Sequence, residues 1–297
     1  MLRERYGYLR KLERSNSLYD IGDGSARIYI RYSKIHRRSS TFYGLRKEDL
    51  AALEGHPSLI CFLWEGQAEP LFLTFSDYEE IFHTCTPARD GQYKAQIYLQ
   101  DGATELYLTK SGRFNLEGQF GWSQVDAVIN ASRGVVVPDF SHSQIQTMLS
   151  AIGSIKGFDI WVPQADRGRV DESLSGNLTF RDELPAGVQM VEDILSEVDV
   201  VWVQRGANKL AGLFEVEHST PIYSALLRFN DILLSVAARE HAFRIVANDM
   251  RRSAFVRQLN RPTFRSSGLN ELCSFLEYRN VFGWFRRLTT GRPITRE

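Results

Sequence analysis

Apolar and polar positions alternate with a strand period over ARIYIRYSK (26–34) and again over SLICFLW (58–64) and PLFLTF (70–75). GLRKEDLAAL (44–53) predicts a short helix between them. SDYEEIFHTC (76–85) predicts a helix with Ser76 as N-cap and Glu79 three residues on, a capping box. QYKAQIYLQDGATELYLTK (92–110) predicts two strands about an Asp101–Gly102 turn, and GRFNLEGQF extends that sheet. The pattern then changes. Pro138 lies in a boundary region over 123–140, which predicts an N-terminal domain over 1–130 and a second over 131–297.

In the second domain, HSQIQTMLSAIG (142–153) repeats at helical spacing, with Ile145, Met148, Leu149 and Ile152 on one face. A strand follows over 157–163, then a polar loop. VDVVWVQ (198–204) and LAGLFEVE (210–217) read as strands joined by the short turn RGANK. HSTPIYSALLRFNDILLSVA (218–237) reads as a helix capped by Ser219 or Thr220, with Ile222, Leu226, Phe229 and Leu233 buried. A strand (242–248), a helix (249–261) and an aromatic helical stretch (268–288) close the chain. The order α-β-β-β-α-β-α predicts a mixed sheet flanked by helices. The fold class is therefore α/β (α+β), with an N-terminal α+β domain.

Charge sharpens this picture. The chain is neutral overall, with 36 cations and 36 anions among 297 residues. Residues 1–50 nevertheless carry a net +6, residues 51–238 a net −13 and residues 239–297 a net +7. Arginine outnumbers lysine 29 to 7. Arginine forks suit phosphates and guanine edges, although a GC-rich genome produces the same skew. No run approaches the roughly 20 apolar residues that span a bilayer. The basic N-terminus lacks the apolar run of a secretory signal. Cys61, Cys85 and Cys273 lack metal-ligand spacing. Together these features predict a cytoplasmic protein without a membrane partner.

The chemistry concentrates in GLFEVEHSTP (212–221). Phe214 and Val216 point to one face of a strand, Glu215 and Glu217 to the other, about 7 Å apart by strand rise. Like charges so close need an offset. Asp199, early in the preceding strand, can meet both glutamates across a hairpin. Three converging carboxylates suit Mg²⁺ or Mn²⁺, which can activate water and stabilise charge on a phosphoryl group. A solvated strand edge is the plainer alternative, but the apolar runs VVWV and LFEV favour burial. His218 reads as a cap or a general base, Asp166 and Arg167 as residues that either reach the site from a neighbouring strand end or form a surface turn, with the turn favoured, and Asp159 as a mid-strand acid that could face the same site. Arg251, Arg252, Arg257 and Arg261 are candidates for gripping DNA phosphates.

Asp-x(15)-Glu-Val-Glu on two strands of this core resembles the PD-(D/E)xK nuclease superfamily, which includes many restriction endonucleases. The resemblance covers about 120 residues. It implies a restriction-endonuclease-like core, with Asp199, Glu215 and the Val216 carbonyl as metal ligands and Glu217 in the position where lysine is usual. A few restriction endonucleases of the superfamily carry glutamate there. The expected activity is that of a Mg²⁺- or Mn²⁺-dependent endodeoxyribonuclease that hydrolyses phosphodiester bonds of double-stranded DNA as a homodimer in a restriction or defence role, with Asp199, Glu215 and Glu217 catalytic. The rival expectation is an inactive nuclease-fold module that binds nucleic acid or protein. A third is an RNA-processing nuclease.

Overall fold

The computed structural model describes residues 1–12, 15–22, 24–36, 39–100, 103–134, 138–236 and 241–290. The Asp101–Gly102 turn lies outside them. The chain divides into two compact units, Met1–Val135 and Val136–Gly291. Both are mixed α and β, with three sheets flanked by helices.

The first unit contains two sheets. Strands β1 (Leu9–Lys11), β2 (Leu18–Ile21), β3 (Ala26–Ser33), β5 (Ser58–Trp64) and β6 (Leu71–Thr74) form one, in the order β1-β2-β3-β5-β6. Only β3 and β5 run parallel in it. Strands β4 (Ser40–Arg46), β7 (Gln92–Gln100), β8 (Ala103–Leu108) and β9 (Gly112–Asn115) form an antiparallel second sheet. Two readings change here. The segment expected to be a helix over 44–53 gives its first residues to β4, because Gly44 and Leu45 pair with Lys94 and Tyr93, and the helix runs only Lys47–Ala51. The next helix, Phe75–Thr84, follows directly from β6 with Thr74 as N-cap, so Ser76 is no cap and bonds Asp77 instead. Burial of Phe75 in the core sets that start.

The second unit holds a five-stranded sheet in sequence order: β10 (Phe158–Trp161), β11 (Val200–Gln204), β12 (Lys209–Val216), β13 (Ala242–Ala247) and β14 (Cys273–Glu277). Pairing is antiparallel from β10 to β12 and parallel from β12 to β14. The crossover helix Ile222–Ser235 makes the first parallel step possible. Side-chain alternation explains why both faces are covered. Val201, Val203, Leu213, Phe243 and Ile245 enter the core beneath the Ile222–Ser235 helix. Val200, Trp202, Phe214, Val216 and Val246 enter the opposite core, beneath the His142–Ile155 and Tyr278–Thr290 helices.

Strand β14 was not legible as a strand. The residues Leu272, Phe275 and Leu276 repeat at helical spacing, and a short apolar run cannot distinguish the two periods. Parallel pairing of Phe243–Ala247 with Cys273–Glu277 decides it. The His142–Ile155 helix is seated closely over the sheet. Its Gly153 leaves no room for a side chain, since a Cβ would lie 2.5 Å from Trp202 Nε1. Trp202 in turn donates from Nε1 to the Leu149 carbonyl at 3.1 Å. A true capping box, Ser141 with Gln144, starts this helix. Among the described residues no helix is long and apolar enough to cross a membrane.

Candidate active site

The end of β12 carries the two glutamates, and Asp199 lies just before β11. Because Val200 pairs with Phe214, the antiparallel register brings Asp199 alongside Glu215 and Val216. Asp199 Oδ2 accepts the Val216 N–H at 2.7 Å. Its Oδ1 lies 3.2 Å from His142 Nε2, at the start of the His142–Ile155 helix. Gln146, one helical turn on, donates to the Asp199 carbonyl at 2.9 Å and to Asp166 Oδ2 at 3.5 Å. The three elements are thus tied around one aspartate. The carboxylate bond to His142 raises that imidazole's pKa, against its partial burial, with Asp166 and Glu215 adding to the effect.

Glu215 and Glu217 are 1% and 3% exposed, so neither belongs to a solvated strand edge. The answer to their repulsion is in part an arginine. Arg228, from the Ile222–Ser235 helix, forks onto Glu215, with Nε to Oε1 at 2.7 Å and a terminal nitrogen to Oε2 at 3.0 Å. Glu217 accepts the Thr220 hydroxyl through Oε2, and its carbonyl accepts from Arg251 at 2.7 Å. Thr220 is therefore occupied by Glu217 and caps nothing; Pro221 stands at the N-cap. This corrects the expected Ser219 or Thr220 cap.

Burial raises the pKa of both glutamates. For Glu215 it outweighs the Arg228 fork and, with the charges of Asp199 and Glu217, pushes the carboxyl up to about 8. A carboxyl raised in the fold binds its proton more tightly folded than unfolded. Its contribution to stability is full below the ordinary value of 4.5 and is lost as pH rises through about 8. Wild type is therefore expected to lose melting temperature relative to Glu215→Gln between about pH 5 and about pH 9. Parallel melting curves for the two proteins would contradict this.

The remaining candidates separate. Arg251 also donates to the Thr220 carbonyl and helps shape the turn after Glu217. Arg252 is committed to Glu277 at 2.6 Å. Arg257 and Arg261 are exposed, with Arg261 4.5 Å from the Tyr223 ring. His218 is exposed and stacks on Tyr278, whose hydroxyl lies 3.5 Å from Nδ1. Asp159 lies away from the cluster, between Arg181 and Arg205. Asp166, for which a surface turn and a reach toward the site were both open, meets Gln146 and adds to the electrostatic field of His142.

Three participants were missed in the sequence. Arg228 had a visible signal: a cation three residues after Ala225 and four before Ile232, on the buried side of its helix. His142 and Gln146 gave none, since their roles depend on where the helix is seated.

Divalent Mg²⁺ and Mn²⁺ prefer oxygen donors. The donor set fits in kind, with carboxylates from Asp199, Glu215 and Glu217 and the adjoining Val216 backbone. Among the described residues no three acidic, His or Cys groups are arranged to hold an ion. Both oxygens of Glu215 face Arg228.

A family model described as the C-terminal domain of the type II restriction enzyme NmeDI matches residues 128–288. The type II restriction enzyme NmeDI of Neisseria meningitidis serogroup C is 30% identical over 143 residues, covering 42% of this chain. The match spans 38% of that relative's length. No solved structure matches.

Proposed function

The chain belongs to the type II restriction enzyme NmeDI C-terminal domain family, and on that premise we propose that it is a restriction-type DNA endonuclease. The observation that supports this reading is the β11–β12 pairing, which sets Asp199 beside Glu215 and Val216 at the strand end that also carries the buried Glu217. In finer terms, the reading is a PD-(D/E)xK-like core cutting double-stranded DNA with Mg²⁺ or Mn²⁺, with Glu217 in the usual lysine position. The α-β-β-β-α-β order of the unit supports it. Asp199, Glu215 and the Val216 carbonyl would hold the ion. When bound, such an ion neutralises charge on the phosphoryl group and makes water a better nucleophile.

The chain's own groups have separate tasks. The Val216 N–H and His142 fix the direction of the Asp199 carboxylate. Gln146 holds the backbone beneath it. Arg251 fixes the turn that carries Glu217. Arg257 and Arg261 remain at the surface for phosphate contacts, and the Met1–Val135 unit supplies target recognition. Cutting both strands calls for two sites, hence a homodimer in the cytoplasm.

The direct test is incubation of methylated and unmethylated DNA with Mg²⁺, followed by sequencing of the ends. Discrete ends support the reading. Binding without cleavage under all conditions would replace it with the inactive binding module. Affinity should also fall by about 0.9 log units per log unit of salt for each phosphate contact. A flat salt response would remove the arginines from the interface. Limited proteolysis should cut within residues 123–140 and release the two units; cutting only at the termini would count against separate domains.

A further inference from the structure

Arg228 is placed to do more than neutralise Glu215. Both carboxylate oxygens are taken by its fork, at 2.7 and 3.0 Å. Glu215 is 1% exposed, so no solvent-facing oxygen is left over. A cation that takes Glu215 as a ligand through a remaining lone pair would sit against the guanidinium charge, so it must compete with Arg228 for this carboxylate.

The arginine is able to leave. Its side chain is 30% exposed, and a terminal nitrogen lies 3.8 Å from Glu197, whose side chain is 70% exposed. One guanidinium thus has an inner carboxylate and an outer one. The Arg27–Asp20 pair in the other unit is built differently. There both side chains are at most 7% exposed, Arg27 also bonds the Ala52 carbonyl, and Asp20 has a second arginine. Arg27 is enclosed; Arg228 stands at a rim. Asp199 and Glu197 also lie within its electrostatic reach. A divalent ion arriving among these acids would repel the guanidinium at short range. Arg228 sits in the middle of a 14-residue helix. Side-chain torsions alone can move its head, with the backbone fixed.

We propose that Arg228 and a divalent cation are alternative partners of Glu215, the guanidinium moving out to Glu197 as the ion enters. This inference rests on the metal-dependent reading above. Arg228 is then a positioning residue: it keeps Glu215 paired until an ion replaces it.

The experiment follows the Arg228 Nε–Hε resonance by nitrogen-15 NMR of the full chain, assigned by its absence in Arg228→Lys. Held on Glu215, this proton should exchange slowly with water. Mg²⁺ should shift the resonance and speed that exchange by at least tenfold. In Asp199→Ala, Mg²⁺ should leave it in place. Glu197→Gln, which removes the outer partner, should weaken Mg²⁺ binding several-fold in melting titrations. If Mg²⁺ raises the melting temperature in an Asp199-dependent way while the resonance does not change, the exchange is overturned and the metal reading stands. Equal Mg²⁺ binding by Glu197→Gln and wild type overturns the move to Glu197. If Mg²⁺ alters neither melting nor any resonance of wild type, both the exchange and the metal reading fall.

Discussion

Asp199→Ala is expected to reduce DNA cleavage by about two to three orders of magnitude while DNA binding persists. The reason is that this one side chain serves three neighbours. Its Oδ2 receives the Val216 N–H, its Oδ1 meets His142, and it adds negative charge beside Glu215 and Glu217. On the proposed reading Asp199 would hold and orient the ion, and losing such a group forfeits several kcal/mol of transition-state stabilisation; about 1.4 kcal/mol is a tenfold change in rate. Binding should persist or improve, because one fewer carboxylate faces the DNA phosphates. Asp199→Asn separates the roles: its amide oxygen can still accept the Val216 N–H, yet the charge is gone. Cleavage should remain low in Asn as in Ala, while the melting temperature recovers. Steady-state cleavage assays and melting curves of the two variants decide this. Wild-type cleavage by Asp199→Ala would move the chemistry away from this cluster.

Arg228→Gln should destabilise the second unit by about 1.5–3 kcal/mol near neutral pH, the worth of hydrogen bonds from a charged donor. For a unit of this size that is a fall of roughly 5–9 °C in melting temperature. A larger loss is averted because Glu215, already raised to about 8, can keep its proton once the arginine is gone. Above that pH the protection has a growing cost. The gap between variant and wild type should widen by up to about 1.4 kcal/mol per pH unit. In a Glu215→Gln background the same substitution should cost much less and show no such widening, as expected when two mutations remove one interaction. Denaturant titrations of the four proteins at two pH values measure it. An equal loss in both backgrounds would mean that Arg228 stabilises through its packing and not through Glu215.

Apolar periodicity was enough to read the strands and helices of the second unit wherever one period persists long enough. LAGLFEVE, AFRIVAN and HSQIQTMLSAIG are of this kind, and the mixed sheet follows from their order. The same pattern also put Asp199 at the start of the strand that precedes the two glutamates, but the turn by itself sets Asp199 opposite Phe214; the bulge between Trp202 and Val203 shifts the register by one residue and brings Asp199 to Glu215. The strand Cys273–Glu277 escaped, since five residues fit either period until a neighbouring strand selects one. The helix caps escaped for a related reason. A hydroxyl such as that of Thr220 has several nearby acceptors, and burial of Glu217 makes the carboxylate the better one.

The partners of the acids were settled by tertiary structure alone. His142 is 57 positions from Asp199 in the sequence and touches it only because Gly153 lets one helix lie close on Trp202. Arg228 reaches Glu215 because the crossover helix must return over the face that Leu213 and Ile245 share with that glutamate. Local pattern records which face a residue occupies. Which charge meets it there depends on how the elements stack, and stacking is fixed by side-chain volumes far apart in the chain.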